Sequence, residues 1–196
     1  MEKNSYETIY FISTNKFKQN VFNNLTKKKL PKNYKIQFET IKDLPEIQGT
    51  CEEVVIDKTI SAFKELNTPL IVDDESFLIP GLNNFPGPYL KDFEAALKTK
   101  GIYDVINATG NKKCYPQVHY GLTFDGKKVY TFNGSLECEL IKYREGTENC
   151  KNYFEVLFSK DFNKRLSEVE TDEFDDRDMR GIALNKLCKF LEEYKP

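Results

Sequence analysis

Histidine is almost missing from this chain: His119 is the only one in 196 residues. That excludes histidine-rich metal sites and proton relays that need two imidazoles. His119 falls in an alternating segment, 118–124, where a structural role is expected rather than a catalytic one. Disulfide patterning is missing too. The five cysteines, Cys51, Cys114, Cys138, Cys150 and Cys188, are odd in number, scattered and never spaced C-x-x-C, which fits a reduced, intracellular setting. Charge of one sign is also lacking. Lysine and arginine total 29 against 31 aspartates and glutamates, so a formal charge of -2 offers no global basic field to nucleic acid or an anionic membrane. Long apolar runs are absent: residues 9–12 form a run far too short for a signal peptide or a membrane span, and the residues before it are polar. A cytoplasmic protein that engages neither membrane nor nucleic acid is the expectation. There is no internal repeat, and no G-x-x-x-x-G-K-[ST], which argues against a P-loop NTPase.

What remains is an ordinary globular composition, 39% apolar and 13% aromatic, in a chain long enough for one domain with a real core. Residues 9–12 read as a first buried strand and 16–29 as a helix, with Phe17, Val21, Phe22 and Leu25 at helical spacing. Residues 34–39 read as a strand, 51–66 as a helix, and 70–72 as a buried parallel-type strand. Two further helices are expected over 88–99 and 102–108, separated by Gly101. Val118, Tyr120, Leu122 and Phe124 then alternate, Asp125-Gly126 supplies a hairpin turn, 129–132 returns, and 137–141 adds a strand. Residues 144–178 are poorly patterned and include an acidic run, 168–178, expected as a flexible or partner-facing loop. Ala183, Leu187, Phe190, Leu191 and Tyr194 mark a last amphipathic helix. The fold class is therefore mixed α/β, a central mixed sheet flanked by helices in two lobes with a cleft. The lobes are expected at about 1–110 plus 180–196, and 111–179.

Three segments carry candidate chemistry. The strand at 70–72 ends in the adjacent carboxylates Asp73, Asp74 and Glu75, which repel one another unless a cation, a proton or a polar pocket offsets them, and oxygen-rich clusters of this kind suit Mg²⁺. The turn Ser13-Thr-Asn-Lys-Phe-Lys18 opens a helix, so its amides and the side chains of Ser13, Thr14 and Asn15 can meet an anion, and Lys16 and Lys18 sit unfavourably in the first turn unless something negative lies beside them. Plain helix capping with surface lysines is the alternative. Lys58 interrupts the apolar stripe of Val54, Val55, Ala62 and Leu66, so it either snorkels outward or faces a polar pocket that holds an anion. Glu46, in the turn before that helix, is near enough in sequence order to join the acids around one metal.

Together these segments resemble a known family. Ser13-Thr-Asn-Lys-Phe-Lys18, Asp43-Leu-Pro-Glu-Ile-Gln-Gly49, Leu70-Ile-Val-Asp-Asp74 and Phe85-Pro-Gly-Pro-Tyr-Leu-Lys91 are similar, in order and spacing, to motifs of the Ham1-like inosine triphosphate pyrophosphatases. The resemblance implies that family's fold and hydrolysis of ITP, dITP or XTP to the monophosphate and pyrophosphate. It implies triphosphate binding by Ser13, Thr14, Asn15 and Lys18, and substrate phosphate on Lys58 and Lys91. Glu46 and Asp74 would hold Mg²⁺, with Mn²⁺ as a substitute, and Asp74 and Lys18 would be the catalytic pair. Glu75 is grouped with the substrate-binding residues. A homodimer is implied as well. In the carboxyl half, Asn152-Tyr-Phe-Glu-Val156 stands where the family has Phe-Gly-Trp-Asp-Pro, so Phe154 and Glu155 would meet the base. Arg180 is kept in Asp178-Met-Arg-Gly-Ile-Ala-Leu184, but Met179 replaces a base-contacting histidine and Phe174 a lysine. Two other readings stay open: a non-catalytic or respecified nucleotide-binding relative, and a metal-dependent phosphatase of another metabolite.

Overall fold

The computed structural model describes residues 7–145, 153–170, 173 and 175–195. Strand β1 (Glu7–Ile12) lies parallel to β2 (Tyr34–Glu39), and helix α1 (Lys16–Lys29) crosses between them. Asn15 starts α1 by accepting the amides of Phe17 and Lys18 on its side chain, and Val21, Phe22 and Leu25 bury the inner face. Helix α2 (Cys51–Leu66) opens on a capping box between Thr50 and Glu53 and closes at Asn67, whose left-handed φ of 48° turns the chain into β3 (Leu70–Leu78).

The acids expected to end β3 lie inside it. β1 accompanies β3 only as far as Val72, whereas β5 (Lys113–Thr123) pairs antiparallel with all of it, from Leu70 opposite Thr123 to Leu78 opposite Tyr115. The backbone of β5 thus carries the strand through its own charges. β3 is parallel to one neighbour and antiparallel to the other, so it is not a purely parallel-type strand. Side chains alternate, so Asp73 and Glu75 face one side of the sheet and Asp74 and Ser76 the other.

Strand β4 (Pro86–Gly87) pairs with β3, and β6 (Val129–Ser135) pairs with β5. The path β2-β1-β3-β5 continues through β7 (Cys138–Leu140), β8 (Leu157–Ser159) and β9 (Lys164–Arg165). Two glycines show which helix covers which face. A Cβ on Gly134 would sit 1.8 Å from the Met179 carbonyl of α4 (Met179–Glu193), and one on Gly121 would sit 2.1 Å from the Thr59 hydroxyl of α2. Gly134 is opposite Val118, and Val118 is opposite Glu75; Gly121 is opposite Val72. Asp73 and Glu75 therefore face α1 and α4, and Asp74 faces α2. On the α1 side Phe11 stacks on Phe22 at 3.9 Å, with Tyr120 edge-on to Phe22 at 5.4 Å.

Several expected boundaries move. Helix α3 (Leu90–Ala108) starts later than residue 88 and breaks at Lys98, with φ 56° and ψ 176°, rather than at Gly101. Gly101 stays helical, with Leu97 against it. The strand expected over 137–141 is the shorter β7, and α4 begins at Met179, capped by the side chain of Asp178, a turn before the apolar positions that marked it. The poorly patterned stretch holds β8, β9 and two 3₁₀ turns, Tyr153–Val156 and Leu166–Glu168, all too short to show a period. Within the acidic run, Glu168 pairs with Arg144, Glu173 with Lys164, Asp175 with Arg177 and Asp176 with Lys29. His119 has the structural role expected of it. It is buried, one ring nitrogen lies 3.3 Å from the Gln117 side-chain oxygen, and burial lowers its pKa. Cys51, Cys114, Cys138 and Cys188 are free thiols, and Cys150 lies outside the described residues.

Candidate active site

Because β1 stops at Ile12 while β3 runs on, the sheet leaves a step beside the start of α1, and a cleft of about 510 Å³ opens there. Ser13, Thr14, Asn15, Lys18, Glu46, Lys58 and Lys91 all line it. Asp73, Lys42 and Asp43 line it as well. The segments whose order suggested a single site are thus brought to one cavity.

Each of two cleft lysines lies between two carboxylates, one set on each face of β3. On the α1 face, Lys18 Nζ is 3.0 Å from Asp73 Oδ2 and 3.4 Å from Glu75 Oε2. Glu75 Oε1 lies 3.1 Å from Arg180 Nη2, so the ion cluster reaches α4. The unfavourable first-turn position of Lys18 is offset by protein acids, while Lys16 bonds the Gln19 side chain at 3.2 Å. On the α2 face, Lys58 Nζ donates to Asp74 Oδ1 at 2.7 Å and to Glu46 Oε1 at 3.0 Å. Lys58 therefore faces a polar pocket; it does not snorkel to solvent.

Burial and pairing pull these groups in different directions. Burial raises the pKa of Asp74 above its ordinary value, and Lys58 only partly offsets this. Burial also opposes ionisation of Glu75, but Arg180 and Lys18 outweigh it and bring its pKa to about 2. For Lys18, burial is outweighed by Asp73 and Glu75, and for Lys58 by Asp74 and Glu46, so both lysine pKa values are raised. Desolvation of Glu46 is outweighed by its bond to Lys58, which lowers its pKa.

Among the described residues, no group of three or more His, Cys, Asp or Glu is arranged to hold a metal ion. Glu46 and Asp74 are nevertheless near enough to share a cation, since both bond one ammonium. Asp74 Oδ2 is buried and accepts no hydrogen bond from a described residue. Both observations fit an ion such as Mg²⁺, which is commonly held by one or two carboxylates with water and substrate phosphate completing its shell.

The residues expected to read a base stand apart from this cleft. Phe154 and Glu155 lie in the 3₁₀ turn Tyr153–Val156 and do not line it. Glu155 is buried, accepts the Ser167 hydroxyl at 2.6 Å and lies 3.5 Å from Arg165 Nη1. Arg180 is buried against Glu75, and Met179 belongs to the core. Phe174 lies outside the described residues. Asp73, expected only as a member of the acid triplet, lines the cleft. Its signal was the acid triplet itself, in which strand alternation puts the first and third acids on one side.

Comparison with known proteins adds an independent observation. The Ham1 family profile matches residues 9–190. The chain belongs to the Ham1 family. Relatives similar to it include inosine triphosphate pyrophosphatases of Schizosaccharomyces pombe and Encephalitozoon intestinalis. The first is 29% identical over 78% of this chain and 81% of its own length. The second is 33% identical over 76% and 77%. Among solved structures, a HAM1 protein from Coxiella burnetii superposes with a TM-score of 0.76 at 20% identity, covering 96% of this chain and all of the other. The Staphylococcus aureus Ham1 protein gives 0.70 at 22% identity, over 96% of this chain and 100% of its own. The expected mixed α/β architecture is therefore that of Ham1 structures, and the motifs that suggested the family lie around the cleft.

Proposed function

We propose that this Ham1 family member is a nucleoside triphosphate pyrophosphatase, hydrolysing non-canonical purine nucleotides such as ITP, dITP and XTP to the monophosphate and pyrophosphate. The observation that carries this reading is the convergence of Lys18, Lys58 and Lys91 with Glu46 and Asp73 on one cleft, where Lys58 also bonds Asp74. The relatives named as inosine triphosphate pyrophosphatases support it. So does the polar start of α1, where Ser13, Thr14 and Asn15 line the cleft at the helix end whose dipole favours an anion.

In this reading the triphosphate lies between Lys18 and Lys58, and Lys91 adds a third ammonium from α3. Glu46 and Asp74 would hold Mg²⁺ or Mn²⁺, which would supply polarisation of phosphate oxygens and a more acidic water. Asp74 accepts the proton of the water that attacks the α-phosphorus. Lys18 and Lys58 offset the charge that builds on the departing pyrophosphate. Glu75 fixes Lys18 and Arg180, and Phe154 and Glu155, which do not line the cleft, are left without a role on its phosphate side. The chain works as one domain of two lobes, in the cytoplasm, as a homodimer.

A nucleotide panel with Mg²⁺, scored separately for pyrophosphate and inorganic phosphate, tests the proposal. Pyrophosphate from ITP, dITP or XTP in preference to ATP and GTP is the expected result. Inorganic phosphate alone would favour a phosphatase, and no product from any triphosphate would favour a binding protein.

A further inference from the structure

We propose that Glu75 sets the affinity of the cleft for polyphosphate, by competing with substrate phosphate for the ammonium of Lys18. The proposal rests on the reading of Lys18 as a phosphate-binding residue. Lys18 Nζ has three N–H donors, and two carboxylates already claim it, Asp73 at 3.0 Å and Glu75 at 3.4 Å. Any phosphate oxygen that reaches this ammonium comes up beside two fixed anions of its own sign. Glu75 cannot swing aside to make room. Its other oxygen is 3.1 Å from Arg180 Nη2, and the Arg180 side chain is only 4% exposed on α4. The opposite lysine differs. The acids that hold Lys58 are Glu46 and Asp74, and both have other tasks when substrate and metal bind. Among the described residues the ion-pair partners of Glu75 are Lys18 and Arg180; it does not line the cleft and has no step of its own in the reaction. Its remaining effect on a bound anion is repulsion and competition.

Titration of inorganic pyrophosphate in metal-free buffer isolates the lysine contribution. Glu75→Gln keeps the shape and removes the charge, and is expected to tighten pyrophosphate binding by about two- to fivefold, the scale of losing one partly exposed ion pair. Asp73→Asn frees Lys18 from its other partner, leaves the Arg180–Glu75 pair intact, and is expected to tighten binding in the same direction. Glu75→Asp, one methylene shorter and so drawn back from Lys18, carries the test of Glu75 itself if Glu75→Gln fails to fold, with tighter binding again expected. Unchanged or weaker binding in the folded variants would overturn the proposal and leave Glu75 a purely structural counter-ion. Failure of the wild-type protein to release pyrophosphate from any nucleotide would remove the proposed activity, yet the metal-free titration would still report on Lys18.

Discussion

Replacing Lys58 with methionine removes the cation that bonds Asp74, and its cost follows from where the two side chains sit. Lys58 and Asp74 are 14% and 10% exposed in their side chains and 2.7 Å apart. Deleting one partner of a buried pair costs about 3–5 kcal/mol when the other must stay charged. Asp74 has an escape, because it can take a proton. Its folded pKa already lies above the ordinary 3.8, burial being the main cause, and it rises further once Lys58 is gone. A folded state that binds more protons than the unfolded one loses stability as pH rises from the unfolded pKa through the folded one. The penalty of Lys58→Met should therefore be smaller at pH 5 than at pH 8, because a proton can replace the lysine on Asp74 as pH falls, and about 3 kcal/mol at pH 8. For a chain of this size the pH 8 value corresponds to a Tm lower by about 6–12 °C. Urea unfolding of both proteins at the two pH values measures it. An equal loss at both, or a loss under about 0.5 kcal/mol at pH 8, would refute the ion triad of Lys58, Asp74 and Glu46.

Asp74→Asn should keep the fold and lower turnover by about 100-fold or more, the range of a lost general base, with pyrophosphate release as the readout. Glu75→Gln should flatten the acid limb of the stability curve. The depressed Glu75 pKa of about 2 contributes stability that is present above its ordinary 4.5 and lost as pH falls towards 2, so wild type and variant should converge in that window when unfolded by urea. Gly134→Ala would drive a methyl to 1.8 Å from the Met179 carbonyl at the start of α4, and should cost about 1–3 kcal/mol in thermal unfolding, with loss of activity because α4 carries Arg180.

The cleft was legible because its residues lie in local patterns. The N-cap at Asn15, the lysine breaking an apolar stripe at Lys58 and the acid triplet on β3 each state a physical conflict that a shared cleft resolves. Strand and helix order was readable through α2 for the same reason. The length of β3 was not, since what carries it past Val72 is pairing with β5, some forty residues further on in sequence. The break at Lys98 was missed because glycine at 101 was the nearer local signal, and tertiary packing chose otherwise. The strands β8 and β9 have three and two residues, too few for any alternation to register. The counter-ion role of Glu75 depends on α4 folding back beside α1, a contact between residues 75 and 180 that no window of sequence contains.

Turnover of ITP with Mg²⁺ in ¹⁸O-labelled water tests most directly whether a water beside Asp74 attacks the α-phosphorus of a triphosphate held in this cleft. The account predicts one labelled oxygen in inosine monophosphate and none in the pyrophosphate. Label in pyrophosphate or in inorganic phosphate, with unlabelled nucleotide, would contradict it.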